Sequence, residues 1–156
     1  LMIGDPDCEV TSILVALDCT MKVIKEAEEK GCNLIITHHP ILFKKPNNIT
    51  TETLQGRKII ELIKKDINIY SSHTNLDSTK GGINDLIMQL LDFRNCEVIE
   101  VNHMDAQDKE CGIGRFTTLN VPITLEELCE KVKEAFEISS LKYSGEDSCC
   151  NKWQRQ

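Results

Sequence analysis

No apolar stretch in this chain approaches the roughly 18 residues that a membrane span needs, and no secretory leader is visible. There is no C-x-x-C pair, which argues against a structural zinc ribbon, and neither a phosphate loop nor a nucleophile elbow is present. Positive charge is in deficit: 18 Lys and Arg stand against 25 Asp and Glu, a net charge of −7. That balance argues against a surface that tracks nucleic-acid phosphates, and no nucleic-acid or membrane partner is expected. It still admits a phosphorylated small substrate, because a bound cation can reverse the local field. Histidine is scarce too, with four in 156 residues, and three of those fall in two short clusters.

What is present reads as one globular chain with a real core. Eight cysteines, at 8, 19, 32, 96, 111, 129, 149 and 150, fall mostly beside helix or strand residues. There a free thiol acts as a small apolar group, which fits a reducing cytoplasm. Residues 12–18 are apolar and β-branched and predict a buried strand. Thr20 is placed to cap a helix over 21–30, with Gly31 ending it. Strands are predicted over 33–37 and 67–71, and helices over 52–65 and 83–91. Pro40 stops the second strand because proline cannot donate to a ladder. This alternation predicts an α/β fold, a parallel or mixed sheet with crossover helices, in residues 1–95.

A smaller α+β lobe is expected over 96–147. It would have strands at 97–101 and 113–119, then a helix to about residue 137 opened by a capping box of Thr124 and Glu127. Leu125, Leu128, Val132 and Phe136 are predicted to line its buried face. Residues 148–156 have no clean period and stay unassigned.

The polar residues that end the three parallel strands must converge on one sheet edge, where open α/β sheets keep their chemistry. These are Asp18, then His38 and His39 in Ile35-Ile36-Thr37-His38-His39-Pro40, then His73 and Asp77 in Ser71-Ser72-His73-Thr74-Asn75-Leu76-Asp77. Consecutive strand side chains point to opposite faces, so His38 and His39 cannot easily share one ion while the strand is regular. They suit two ions, one each, as the chain turns out at Pro40. Two cations about 3.5–4 Å apart need a bridging anion, and Asp77 is the best candidate. His73 either binds directly or orients the site through a hydrogen bond. Asp18 reads chiefly as a cap for the helix after it, and otherwise as the one visible candidate for general acid or base. His103 reads as surface, in a polar loop. Gly112-Ile113-Gly114-Arg115 lacks the third glycine of a dinucleotide fingerprint and reads as a glycine-relieved start of a strand.

These residues resemble the Nif-three-like family, whose members are often labelled GTP cyclohydrolase I type 2 homologues. The matching text is Gly4-Asp5-Pro6, Leu14-Val15-Ala16-Leu17-Asp18, the His38-His39-Pro40 run with Phe43, His73 to Ser78 with Gly81, Gly82, Ile83, Asn84 and Asp85, and Gly112-x-Gly114-Arg115. The resemblance covers residues 1 to about 147. It implies a two-metal centre with His38, His39 and Asp77 as ligands and His73 as ligand or close neighbour. It also implies homo-oligomers, commonly hexameric rings. The family's late Gly-His-x-x-x-Glu ligand motif has no match here, so the chain is expected to be an N-terminal portion supplying part of the ligand set. Imidazole with carboxylate suits two divalent ions of zinc, iron, manganese or nickel. The function expected is metal-dependent and hydrolase-like, on a nucleotide or phosphorylated small molecule. The alternative is a non-catalytic metal-binding or partner-binding protein.

Overall fold

The computed structural model describes residues 1–144, and the tail for which no element was predicted lies outside the described residues. The chain divides into two compact units, Leu1–Leu76 and Asp77–Gln156. The division falls earlier than the change of pattern near residue 95.

The first unit holds β1 (Ile13–Ala16), α1 (Met21–Glu29), β2 (Leu34–Thr37), α2 (Leu54–Lys64) and β3 (Asn68–Ser71). The strands run in the order β1-β2-β3, all parallel, with Ile13, Leu34 and Asn68 in register. Right-handed crossovers in a sheet of consecutive order put both helices on one face. The core agrees: Ile24 and Ala27 of α1 and Leu62 of α2 are buried with Ile35 and Ile69, the residues that β2 and β3 turn toward them. The other face carries Ile13, Val15 and Tyr70, with Val15 74% exposed. The segment before β1 extends this sheet, since Met2 donates to the Ile69 carbonyl at 2.8 Å and Ile69 to that of Ile3 at 2.9 Å.

Each helix has a physical start and stop. Thr20 accepts from the Val23 amide at 3.2 Å, and Thr53 accepts from the Gly56 amide at 3.0 Å, satisfying donors that have no intrahelical partner. Helix α1 closes with Gly31 at φ +66°, the Gly31 amide on the Glu28 carbonyl and the Cys32 amide on that of Ala27. A side chain at Gly31 would oppose that left-handed turn.

The second unit begins within α3 (Thr74–Ser78), a short helix that the pattern did not predict. It continues with α4 (Ile83–Leu90), β4 (Glu97–Met104), β5 (Glu110–Phe116) and α5 (Leu125–Phe136). The two strands form an antiparallel hairpin with an irregularity between Val101 and His103, so His103 lies on a strand rather than in a loop, exposed as expected. A Cβ at Gly112 would overlap the Glu100 carbonyl across the hairpin, which accounts for the first glycine of Gly112-x-Gly114-Arg115. The Thr124–Glu127 capping box is present. The predicted apolar face of α5 is corrected: Cys129 is its buried residue, Leu125, Leu128 and Val132 are half-buried, and Phe136 is exposed.

Helix α4 belongs with the hairpin because of a buried ion pair. Arg115 Nε donates to Asp85 Oδ1 at 2.5 Å, and the two residues are 9% and 7% exposed. Four of the six described cysteines are buried, and all six are free thiols. No helix among the described residues is long and apolar enough to cross a membrane.

Candidate metal centre

The carboxyl ends of the three parallel strands bring four of the predicted residues to one edge. Asp18 follows β1, His38 and His39 follow β2, and His73 follows β3. The ladder persists just past the strands, with the His39 amide on the Leu17 carbonyl at 3.0 Å and the Ser72 amide on that of Thr37 at 2.8 Å. Beneath them the buried Thr37 hydroxyl donates to the His39 carbonyl at 2.9 Å and lies 2.9 Å from the Ser71 hydroxyl. Hydrogen bonds therefore hold the turn that carries both histidines.

The three imidazoles form a cluster, with ring centroids 5.1 Å apart for His38 and His39, 5.0 Å for His38 and His73, and 6.0 Å for His39 and His73. His39 Nδ1 is 2.8 Å from Asp18 Oδ1, and His38 Nδ1 is 3.1 Å from the Ser72 carbonyl oxygen. Both partners are acceptors, so each Nδ1 carries the proton and donates. A neutral imidazole that donates through Nδ1 keeps its lone pair on Nε2, the tautomer that many metal-ligating histidines adopt. Imidazole nitrogens beside a carboxylate are donor types that borderline divalent cations take. Among the described residues no three His, Cys, Asp or Glu side chains are arranged to hold one ion together.

Asp18 corrects the sequence reading. Thr20 caps α1, and the Asp18 carboxylate orients His39 instead. Extending the β1–β2 register past Ala16 and Thr37 sets Asp18 opposite His39, which is the signal that could have found the pair. Asp77 lies in α3, four residues after His73 in the sequence. Its carbonyl accepts from Asn84 Nδ2 at 2.7 Å.

Cys19, next to Asp18, is not a ready ligand. It is 4% exposed, and burial pushes its thiol up to about 11, only partly offset by Lys58. Against an ordinary thiol near 9, that leaves about a hundredfold less thiolate at pH 8. Alkylation of the folded chain at pH 8, followed by peptide mass spectrometry, should label Cys19 about a hundredfold more slowly than the same residue in denaturant. Equal rates would show an accessible, ionisable thiol.

The family described as Duf34/NIF3 (NGG1p interacting factor 3) matches residues 1–152. The chain belongs to the DUF34/NIF3 family. Two curated relatives carry the name GTP cyclohydrolase 1 type 2 homolog. The one from Clostridium acetobutylicum is 54% identical over 147 residues, covering 94% of this chain and 54% of that protein. The one from Clostridium perfringens is 49% identical over 146 residues, covering 94% of this chain and 55% of that protein. This NIF3 chain therefore spans about half the length of the curated relatives it matches. A solved structure, the hypothetical protein SA1388 of Staphylococcus aureus, superposes with a TM-score of 0.80 at 31% identity, covering 93% of this chain and 59% of that one. The mixed α/β fold is that of the NIF3 family.

Proposed function

We propose that this NIF3 chain is a divalent-metal-binding protein with hydrolase-like chemistry on a nucleotide or phosphorylated small molecule. The reading is supported by one observation: three clustered imidazoles, two of them with Nδ1 against an acceptor, which leaves the lone pair on Nε2. His38 and His39 serve one ion each, His73 stands beside them, and Asp77 supplies carboxylate charge. Divalent ions held by these residues would lower the pKa of a bound water and polarise a phosphoryl, amide or ring C–N centre. The chain's own residues hold the imidazoles. Asp18 and the Ser72 carbonyl fix tautomer and ring direction, while Thr37 and Ser71 fix the backbone. A cytoplasmic location and a homo-oligomeric, ring-like assembly belong to the same reading, by resemblance to the family.

One observation favours the non-catalytic alternative. Asp18, the residue available as general acid or base, is engaged with His39. A zinc- or manganese-loaded screen against phosphoesters and nucleotides separates the two readings: turnover lost with the Asp18→Asn and His39→Ala variants supports catalysis, and zinc uptake without turnover supports a binding role.

Asp77→Ala should lower bound zinc per chain, while His103→Ala, an exposed strand residue, should leave it unchanged. Elemental analysis of the purified variants reads this directly, and equal zinc in the two variants would remove Asp77 from the site.

A further inference from the structure

The sequence motif Gly112-x-Gly114-Arg115 and the run Gly81-Gly82-Ile83-Asn84-Asp85 have no place in the metal reading as ligands. In the second unit they form one buried device. Arg115 donates through Nε to Asp85 Oδ1 at 2.5 Å, through Nη1 to the carbonyls of Gly112 at 2.8 Å and Gly114 at 2.9 Å, and through Nη2 to that of Thr79 at 3.5 Å. The other Asp85 oxygen accepts the Gly81 amide at 2.5 Å, with Lys80 Nζ 3.9 Å away. Asn84, the neighbour of Asp85 at the start of α4, donates to the Asp77 carbonyl at 2.7 Å. Every one of these bonds except the two to Gly112 and Gly114 ends on the segment from Asp77 to Gly81 or on its anchor Asp85.

We propose that Asn84, Asp85 and Arg115 are positioning residues that fix the backbone carrying Asp77. The Asp85–Arg115 pair is the buried anchor, the Thr79 and Gly81 bonds hold the segment after Asp77, and Asn84 grips Asp77 itself. Removing a polar group that holds a ligand-bearing segment typically weakens metal affinity by about tenfold or more without touching a ligand. The consequence for metal rests on the proposed metal reading. The ordering of the segment does not.

The test uses Asn84→Ala in the whole chain, because that change leaves the buried ion pair intact. Hydrogen exchange should accelerate about tenfold at residues 77–82 while β1 to β3 are unaffected. Zinc affinity by calorimetry should fall about tenfold, and the same substitution made on an Asp77→Ala background should have no further effect, since Asn84 acts through Asp77. Unchanged exchange at 77–82 overturns the proposal, as does an Asn84→Ala loss that persists on the Asp77→Ala background. His39→Ala is the separate control for the metal reading. If it leaves zinc uptake unchanged, that reading falls and the exchange measurement alone decides whether Asn84 holds the segment.

Discussion

Arg115→Met should cost the second unit about 3–5 kcal/mol, the usual consequence of removing one partner from a buried ion pair. Methionine fills much of the same space, so the loss is electrostatic rather than a cavity. It strands the Asp85 carboxylate with only the Gly81 amide and the distant Lys80 ammonium, and it frees the carbonyls of Gly112 and Gly114 from their donor. Set against a typical total of 5–15 kcal/mol, the change is large. Urea unfolding should show a lower midpoint at unchanged slope. The double change Asp85→Leu with Arg115→Met should recover much of the loss, because an apolar pair leaves no charge stranded.

The same pair fixes a pH dependence. Burial pushes the Asp85 carboxyl up, but the hydrogen bond from Arg115, the Gly81 amide, the Arg115 charge and Lys80 together outweigh it and hold the group below its ordinary 3.8. A carboxyl whose folded value is depressed contributes stability that is present above its unfolded value and is lost as pH falls through the folded one. The chain should therefore weaken below about pH 4, and Asp85→Asn, already destabilised at neutral pH, should lose this part of the acid dependence.

The second large effect is at the imidazole cluster. Replacing both His38 and His39 with alanine should lower zinc affinity by at least about a hundredfold, since it removes both anchored imidazoles and leaves His73 as the one imidazole of the cluster. Asp18→Asn should fall between this double variant and the parent, by about tenfold. The side-chain shape stays, but the acceptor loses its charge and holds His39 less firmly. Calorimetric titration of zinc reads both variants. A double histidine variant that binds as the parent does would place the metal elsewhere, whatever the fold.

The elements with strong local signals were legible in the sequence. Threonines at 20 and 124 set the starts of two helices, and β-branched apolar runs gave the three parallel strands to within two residues at either end. The histidine edge followed from topology alone, because parallel strands must end on the same side. What was not legible depends on partners distant in sequence. Asp18 finds His39 across two parallel strands, so its role is set by register, and locally it looks like any acidic residue before a helix. Asp85 and Arg115 are 30 positions apart, and nothing local to either one names the other as its partner. Helix α3 was missed because five residues are too few to show a period. The α5 face failed at Phe136, where the helical stripe continued past the burial that the second unit provides.

Anomalous diffraction from crystals of the chain grown with zinc, measured at the zinc edge, tests the central claim most directly. The account predicts zinc density about 2.0–2.1 Å from Nε2 of His38 and from Nε2 of His39, with both Nδ1 atoms still on the Ser72 carbonyl and the Asp18 carboxylate. Zinc bound at His103 or at cysteine sulfur, with none at His38 and His39, would contradict it.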